Sequence, residues 1–489
     1  MRPQVCEAHI RKEVLCMRRK IYRELVTWKN TQAGRSALLI EGAGCVGKSY
    51  AVEEFAKNEY RSYVLIDFNS APEDVTTLFR DCLHDLDALF VHLSDFYNVE
   101  LHERETLFIL DDVQRCPDVR LALKNMIADG RYDYIETSSL MSTNKDAEKN
   151  AGEDVLTSRE ERRIKMYPLD FEEFLWAMDE ETLMNRIKNC FGKKLHMGLL
   201  PHKQAMDFFR RYVIVGGMPQ AVAEFAETNN LERVDAIKRE ILKKYRDDIV
   251  KCAGKEAVKA ERIFENIPKQ LQKKDMKFRF SLLRKGSRFK EYQDAMSWLS
   301  DAMIVNVCYN FTDLNAESEP NARRTALKCY MADTGLLISH AFDENDIADE
   351  ELYRKLLFDR MEANKGMLIE NVVAQMLAAG GHEPCFYFDP SRNDVAGRME
   401  INFLIKGEAG SGHNISPIEI KSSRNYTLKP LKKFREKFSQ RLNVPYVLHP
   451  GDMEENDGIV FIPPYMTPLI NNMTQFMVGE NDRDRKSVV

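Results

Sequence analysis

Short apolar runs alternate with helical stretches over the first third of the chain. The runs SALLIEG, SYVLIDFN, ETLFILDD and YDYIETSSL have the length and apolar content of buried strands. Apolar residues between them recur at helical spacing, and one more helix is expected before them, from Ile10 to Lys29. Strands that alternate with helices usually pair in parallel, so the pattern predicts a parallel sheet with helices on both faces.

The pattern changes character twice in the rest of the chain. From Tyr167 to about Lys251 the spacing is mainly helical, with a break at VGGMP. A helix then runs into a strand over SRFKEYQDAMSWLSDAMIVNVCYNF, the order expected where a small winged-helix unit ends. A later helix, GMLIENVVAQMLAAGG, precedes three expected strands at Pro384–Phe388, Glu400–Ile405 and Ile415–Ile420.

Two polar segments have no such periodicity. The segment Ser142–Lys165 mixes both charges and predicts an exposed, mobile loop. The tail VGENDRDRKSVV predicts disorder. Since a single core rarely grows beyond about 250 to 300 residues, the 489-residue chain is expected to form more than one domain.

Composition and charge exclude several classes of protein. No apolar run approaches the roughly 18 residues of a membrane span, and the N-terminus lacks the apolar core of a signal peptide. The ten cysteines form no CxxC pair, which argues against a zinc site or a redox motif. A net charge of -6 gives no global attraction to nucleic acid, so any such surface is a local patch. We expect a cytoplasmic protein with no membrane partner.

The segment GAGCVGKS fits the phosphate-binding pattern G-x-x-x-x-G-K-S between a predicted strand and a predicted helix. Glycines there let backbone N–H groups surround phosphates, and the helix N-terminus adds positive potential. Lys48 is expected to reach the β- and γ-phosphates and Ser49 to coordinate Mg²⁺, so ATP and Mg²⁺ are the expected cofactors. The expected nucleotide contacts are Gly42, Ala43, Gly44, Cys45, Val46, Gly47, Lys48, Ser49, Tyr50 and Thr137.

An apolar strand that ends in two acids supplies the second half of such a site. Asp111 is expected in the Mg²⁺ shell, and Asp112 is at the position that polarises the attacking water. With Lys48, these acids form the expected catalytic set. Glutamate is commoner at the second position, and the shorter aspartate indicates slow hydrolysis, as in a switch. A strand-end cap is the alternative role for Asp112.

Further polar residues are candidates for contacts with the transferred phosphate. Thr137, Ser138 and Ser139 end a strand, where a polar side chain can sense the γ-phosphate in ATPases of this kind. A plain strand-to-loop turn is the alternative. Arg162 and Arg163 could stabilise the phosphate within one chain or between chains, or they could be solvated members of a charge run.

The order of eight motifs resembles a large prokaryotic family of AAA-type ATPases whose C-terminal domain looks like a PD-(D/E)XK nuclease. The motifs are LLIEGAGCVGKS, LFILDDVQRCP, ETSSL, YPLDFEEFLWA, YVIVGGMPQAV, YMADTGLL, GMLIENVVAQML and SPIEIKSS. Gln114 matches a family glutamine just after the acids. Three departures put the hydrolysis rate in doubt: many relatives have arginine at Cys45, glutamate at Asp112 and Gly-Ser at Glu136 and Thr137.

The resemblance implies an α/β fold with several parts. These are a P-loop NTPase core (a parallel sheet with helices on both faces), a helical lid, a winged-helix-like segment and a C-terminal α/β PD-(D/E)XK-like domain. The expected boundaries are 1–169 for the N-terminal helix and ATPase core, 170–255 for the lid, 256–345 for the winged-helix-like segment, 346–475 for the nuclease-like domain and 476–489 for a disordered tail.

The nuclease-like domain departs from the family pattern at one position. Glu419 and Lys421 have E-x-K spacing on one face of a strand, and Glu370 matches a glutamate that often completes such sites. Asn402 stands where the first metal-binding aspartate belongs, with Glu400 as an imperfect substitute two residues earlier. A neutral amide oxygen is a weaker ligand for Mg²⁺, so cleavage is not the favoured interpretation. The favoured one is a hydrogen-bonded network in a domain retained for binding or assembly.

Two basic segments, 273–290 and 428–438, indicate a DNA or RNA partner. The first carries eight Lys or Arg residues against one Asp, interleaved with three Phe. Solvated helix faces and core packing are the alternative explanation for both. The leading hypothesis is an ATP/ADP-dependent switch or slow ATPase coupled to a nucleic-acid-binding module. The alternatives are an ATP-regulated nuclease in DNA processing or defence, and a regulatory scaffold with a protein partner or a second copy of the chain.

Overall fold

The structure is a computed structural model of the whole chain. It describes residues 17–32, 34–139, 156–157, 159–311, 326–342, 362–389, 399–406, 415–421 and 426–470, with no side-chain description for 362–365. The first residues of the helix expected from Ile10, most of the loop expected from Ser142 and the expected C-terminal tail lie outside the described residues.

A five-stranded parallel sheet forms the N-terminal part of the fold, as the sequence predicts. Its strand order is β2-β3-β4-β1-β5, so the chain crosses over between non-neighbouring strands. Alternate residues of β1 belong to different hydrophobic cores. Leu38 and Ile40 pack in one core, and Ala37 and Leu39 pack in the other. The strands are β1 (Ala37–Glu41), β2 (Ser62–Asp67), β3 (Thr106–Asp111), β4 (Asp133–Ser138) and β5 (Glu161–Lys165). The helices are α1 (Ile21–Gln32), α2 (Lys48–Glu59), α3 (Glu73–Asp81), α4 (Leu86–Tyr97) and α5 (Pro117–Asp129).

Strand β5 is a correction to the predicted loop. Its sequence ERRIK pairs in parallel with β1 along its whole length, although the segment Ser142–Lys165 reads as a mobile loop. The strand lies at the sheet edge and only Glu161 is buried in it, so its sequence lacks the apolar run that marks the central strands. Its place was therefore not visible in the hydrophobic pattern.

A buried ion network joins β4, β5 and α5. Arg120 contacts Glu136 at 3.2 Å and Glu161 at 2.7 Å, and Arg163 contacts Glu161 at 2.6 Å. Burial removes the Glu136 carboxyl from water and raises its pKa to about 8, with the charge of Arg120 opposing the shift. Glu136 therefore holds a proton in the folded state at pH values where the unfolded chain has lost it.

Glu136 is expected to make the fold less stable as the pH rises from about 5 to 8. A pKa raised on folding contributes stability that is present at low pH and is lost as the pH rises through the folded value. Glu136→Gln, which cannot titrate, should flatten the dependence of melting temperature on pH over this window. Glu105→Gln, at an exposed ion pair with Arg61, is the matched control and should keep the wild-type slope. Equal slopes in all three proteins would contradict this assignment.

Helices make up the next region, where the sequence predicts a lid. The side chain of Asp170 accepts a hydrogen bond from the backbone N–H of Glu173 at 2.9 Å, and the Glu173 side chain accepts one from the backbone N–H of Asp170 at 3.2 Å. This reciprocal cap fixes the start of α6. The helices of the predicted lid are α6 (Phe171–Ala177), α7 (Glu181–Gly192), α8 (Leu199–Val215), α9 (Pro219–Thr228) and α10 (Leu231–Cys252). The next helix, α11 (Ala257–Leu271), lies in the predicted winged-helix-like segment.

A second, mixed sheet holds the C-terminal part of the chain. Its order is β12-β13-β11-β10-β9-β8-β6-β7. The hairpin β6-β7 comes from the predicted winged-helix-like segment, yet β6 pairs with β8, so that segment and the nuclease-like region share one sheet. The strands are β6 (Val305–Asn310), β7 (Leu327–Met331), β8 (Cys385–Asp389), β9 (Met399–Lys406), β10 (Ile415–Ile420), β11 (Tyr446–Leu448), β12 (Glu454–Asn456) and β13 (Ile459–Ile462). The helices are α12 (Phe289–Asp301), α13 (Thr334–Ala341), α14 (Glu362–Ala379) and α15 (Lys429–Phe438).

Two glycine segments, 215–217 and 333–335, meet where the helical region packs on this sheet; we call this contact the glycine junction. A Cβ on Gly217 would lie 2.1 Å from the carbonyl oxygen of Leu169, and one on Gly335 would lie 2.3 Å from that of Val215. The buried Asp333 carboxylate accepts bonds from the N–H of Gly217 at 2.6 Å and of Leu336 at 2.8 Å. The VGGMP and ADTGLL motifs thus allow a close backbone approach.

No helix among the described residues has the length and apolar character that crossing a membrane requires.

Candidate nucleotide-binding site

The phosphate-binding loop follows β1 and leads into α2, as its motif predicts. Gly47 has φ 89° and Cys45 has φ 66°, both in the left-handed region. Glycine adopts that conformation without a steric penalty, whereas Cys45 does so at a cost that the surrounding contacts must offset. The loop conformation is therefore held by its neighbours as well as by its glycines.

Four carbonyl groups of the loop accept side-chain hydrogen bonds. Lys48 Nζ donates to the oxygens of Gly42 at 2.9 Å and Ala43 at 3.0 Å. Tyr245, on α10, donates to Gly44 at 3.0 Å, and Arg19 donates to Val46 at 2.7 Å. These side-chain bonds to the carbonyls hold the loop in the conformation in which backbone N–H groups can face an anion.

Sequence reasoning missed Arg19 and Tyr245. Arg19 is buried, and it also donates to Glu173 at 3.1 Å and to the carbonyl of Tyr167 at 2.7 Å. Both residues lie far from the motif along the chain. Their bonds to the loop depend on tertiary packing, and neither residue belongs to a recognisable local pattern.

Lys48 is buried, with 6% of its surface exposed. Burial lowers the pKa of its ammonium to about 8, although the charges of Asp112 and Asp111 act in the opposite direction. Its Nζ also lies 3.1 Å from Ser139 Oγ. An anionic phosphate beside it would favour the charged form, so the site is electrostatically prepared for a phosphate.

Asp111 lies between two hydroxyl groups. Ser49 Oγ donates to both of its carboxylate oxygens, at 2.9 Å and 2.8 Å, and Thr137 donates from β4. Burial raises the pKa of Asp111, opposed by these two hydrogen bonds. A hydroxyl beside a carboxylate is an oxygen donor set of the kind that Mg²⁺ prefers, so Ser49 and Asp111 fit the expected metal.

Asp112 is placed for a role other than capping. It has φ 57° and precedes a short 3₁₀ helix (Val113–Arg115), but its side chain makes no cap bond to that helix. Its carboxylate accepts bonds from Gln114 at 3.1 Å, from Ser139 at 3.3 Å and from Asn69. A carboxylate accepts roughly four hydrogen bonds, so these three donors leave about one acceptor site for water.

The strand-end residues of β4 have different positions. Thr137 Oγ1 contacts Asp111 and accepts a bond from the N–H of Asp112 at 3.2 Å, so in this structure it positions the acids. Ser139 contacts both Lys48 and Asp112. Its hydroxyl therefore lies closer than that of Thr137 to the place where a terminal phosphate is expected.

Arg162 and Arg163 are not brought to this site. They lie on β5, where Arg162 pairs with Glu24 at 2.6 Å and Arg163 with Glu161 at 2.6 Å. Arg163 is paired with Leu39 in the middle of β1, away from the loop that follows this strand. The structure therefore gives neither residue a role on phosphate within the same chain.

The candidate nuclease residues do come together in the second sheet. Glu370 accepts bonds from Asn402 Nδ2 at 2.6 Å and from Lys328 Nζ at 3.1 Å. Lys328 also lies 3.3 Å from Glu400, and Lys421 lies 2.9 Å from Glu419. Other members that sequence reasoning missed are Tyr330 and Lys277, which contact Glu370 at 2.8 Å and Glu400 at 3.1 Å.

The two basic segments, 273–290 and 428–438, expose cationic side chains as expected, but their aromatic side chains are largely buried. Phe278 and Phe280 are buried and pack in an aromatic cluster with Phe289, so they do not support a nucleic acid on the surface. In α15 the apolar side chains Leu431, Phe434 and Phe438 are likewise buried. The exposed cations of segment 273–290 are Lys274, Arg279, Arg284, Lys285, Arg288 and Lys290.

Three family models match successive parts of the chain. Residues 34–175 match a family described as AAA domain. Residues 206–346 match a domain of unknown function, DUF8612, and residues 365–465 match another, DUF4143. No curated protein matches the chain.

Several solved structures match the chain at low identity and low TM-score. The Walker-type ATPase PABY2304 of Pyrococcus abyssi is 14% identical over 67% of this chain and 96% of its own, with a TM-score of 0.39. The Aeropyrum pernix ORC2 protein, solved in ADPNP-ADP complexes, is 13% identical over 70% of this chain and 93% of its own, with a TM-score of 0.33. Caenorhabditis elegans PCH-2 is 14% identical over 47% and 65%, with a TM-score of 0.26. At these TM-scores the functional conclusion depends on the site and the domain match. Residues 34–175 thus match an AAA domain and carry the phosphate-binding loop of a P-loop NTPase core.

Proposed function

We propose that the protein is a slow, Mg²⁺-dependent ATPase that acts as a nucleotide-controlled switch. The observation that carries the proposal is the convergence of Lys48, Ser49, Asp111 and Asp112 at the ends of β1 and β3. Ser49 and Asp111 already contact each other, and the buried Lys48 bonds loop carbonyls, as Tyr245 and Arg19 do. This combination supports binding of a polyphosphate with its metal.

Each of these side chains has a distinct task in hydrolysis. Lys48 neutralises phosphate charge, while Ser49 and Asp111 hold Mg²⁺, which when bound supplies charge stabilisation at the phosphate oxygens. Asp112 orients the attacking water through its remaining acceptor site. Its three existing donors leave it little acceptor capacity for that water, which supports slow turnover.

The contacts of the loop support a switch. The hydroxyl of Tyr245 on α10 donates a hydrogen bond to the carbonyl of Gly44. A conformational change of the loop on nucleotide binding would therefore displace α10. The helical region is in turn bonded to the second sheet, because Gln375 of α14 donates to Tyr212 at 3.1 Å and to Asp333 at 3.2 Å. Nucleotide state would thereby reach the C-terminal module.

Nucleic acid is the partner that we propose for that module. The exposed Arg and Lys residues of segment 273–290 support contacts with phosphates, whereas the burial of Phe278 and Phe280 removes these two rings from any stacking surface. Binding through phosphates alone is insensitive to base sequence and depends strongly on salt.

The test is binding of a fluorescent DNA duplex as a function of salt, with Mg-ATP, with Mg-ADP and without nucleotide. We expect the DNA affinity to differ between nucleotide states. The double variant Arg284→Ala/Lys285→Ala should reduce the slope of log K against log salt by about 2. The matched control Lys57→Ala/Arg80→Ala, which removes two exposed cations of the ATPase domain, should keep the slope. Absence of DNA binding at low salt in every nucleotide state would contradict the nucleic-acid part and favour a protein partner.

A further inference from the structure

Three acids and three lysines form a cluster among the described residues of the second sheet and its neighbours; we call it the acid–lysine cluster. The pairs are Lys277 with Glu400 at 3.1 Å, Lys328 with Glu370 at 3.1 Å and with Glu400 at 3.3 Å, and Lys421 with Glu419 at 2.9 Å. Within this cluster the formal charges balance. A nuclease-like fold implies a divalent cation here, and such a site needs carboxylates that are left uncompensated.

Asn402 does not offer its amide oxygen to a metal. That oxygen accepts the N–H of Ile420 at 2.9 Å, and its NH₂ group donates to Glu370 at 2.6 Å. Both ends of the amide therefore join neighbouring elements. Asn402 is a structural bridge between β9, β10 and α14.

The carboxylate oxygens of the acid–lysine cluster also have partners within the protein. One oxygen of Glu370 accepts from Lys328 and Tyr330 and the other from Asn402. The two oxygens of Glu400 face Lys328 and Lys277. Among the buried carboxylate oxygens of this cluster that the structure describes, Glu419 Oε1 alone is without a hydrogen-bond partner. A hard divalent cation takes about six oxygen ligands, so the donor set does not fit one.

Lys328 is the central cation of the cluster. It is 1% exposed and bridges Glu370 on α14 to Glu400 on β9. Burial alone would lower the pKa of its ammonium, but the two carboxylates outweigh burial and raise the pKa above its ordinary value. The residue lies within the DUF8612 match, whereas its acid partners lie within the DUF4143 match.

We propose that the ammonium group of Lys328 takes the place of the divalent cation in this nuclease-like domain. It neutralises Glu370 and Glu400 and joins the elements that a metal would otherwise hold together. The domain is then a metal-independent module with no metal-assisted cleavage. This inference goes beyond the proposed ATPase function and does not rest on it.

The experiment is Mn²⁺ binding by the full-length protein without nucleotide, measured as the loss of the free-ion electron paramagnetic resonance signal. Wild type and Glu419→Gln should bind the same amount of Mn²⁺, because the cluster contributes no site. Lys328→Met should gain about one Mn²⁺ per chain, at least about tenfold tighter than any wild-type binding, and Glu419→Gln added to it should remove the gain. Lys277→Met is the matched control and should show no gain, because Lys328 still neutralises Glu370 and Glu400.

Two outcomes overturn the proposal. The first is Mn²⁺ binding by wild type that Glu419→Gln or Glu370→Gln lowers, which would show a working metal site. The second is a folded Lys328→Met variant that binds no more Mn²⁺ than wild type. If Lys328→Met does not fold, the comparison of wild type with Glu419→Gln still decides, since equal binding supports the proposal and a loss overturns it.

Discussion

Lys48→Ala should lower the rate of ATP turnover by about a thousandfold. Removing one preorganised charge from a transferring phosphate typically costs 10²- to 10³-fold in rate, or about 3 to 4 kcal/mol. Lys48 also bonds the carbonyls of Gly42 and Ala43, so the variant loses support of the loop in addition to the charge. The expected result is therefore at the upper end of that range, with weaker ATP binding as well.

The measurement is steady-state phosphate release at saturating and limiting Mg-ATP. Lys57→Ala is the matched control, because Lys57 lies on the same helix, α2, and pairs with Glu53 and Glu54 at its exposed end. It should turn over ATP at the wild-type rate. Turnover by Lys48→Ala within about twofold of wild type would show that this site does not catalyse ATP hydrolysis.

Gly335→Ala should produce a large loss of stability for a change of one methyl group. The new Cβ would lie 2.3 Å from the carbonyl oxygen of Val215 and 2.6 Å from the N–H nitrogen of Gly216. Both neighbours are backbone atoms, so no side-chain rotation relieves the contact. Overpacking of this kind costs about 3 kcal/mol, which corresponds to a fall in melting temperature of roughly 10 °C.

Gly366→Ala is the matched control for this prediction. Its new Cβ would meet the Met276 side chain at 3.6 Å, an ordinary contact, and alanine is favoured over glycine within a helix by about 1 kcal/mol. Thermal unfolding followed by circular dichroism should show a lower melting temperature for Gly335→Ala only. If both variants had the melting temperature of the wild type, the two backbone segments of the glycine junction would not lie as close together as described.

The nucleotide-binding loop and its sheet could be predicted from the sequence because their signals are local. The motif GAGCVGKS sits between a strand and a helix, and the acids follow a wholly buried strand. A parallel sheet buried on both faces also requires near-continuous apolar runs, which are easy to recognise. Strand β5 was missed because an edge strand with one buried residue has no such run.

The contacts that position the site could not be predicted in this way. Arg19 and Tyr245 reach the loop from sequence distances that no periodicity encodes. Likewise, Lys328 approaches Glu370 only because β6 pairs with β8 and carries β7 into the second sheet. A pairing between distant strands depends on tertiary packing that local patterns do not specify.

For the candidate nuclease residues, their proximity could be predicted from the sequence, whereas their ion-pair partners could not. The resemblance to a nuclease-like domain implied that Glu370, Asn402 and Glu419 would meet, and the structure brings them together. Their chemical environment was not predictable, since it depends on lysines outside the motif. The same five residues therefore outline a metal site in the sequence and an ion-paired network in the structure.

Hydrolysis of radiolabelled ATP in a single turnover, by wild type, Asp112→Asn and Asp112→Glu, tests the central claim most directly. A slow ATPase that uses Asp112 to orient water should hydrolyse ATP only with Mg²⁺. Asp112→Asn should be about a hundredfold slower than wild type. Asp112→Glu should be faster, because the longer side chain reaches the position that glutamate occupies in similar ATPases. Equal rates for wild type and Asp112→Asn, or hydrolysis that persists without Mg²⁺, would contradict the account.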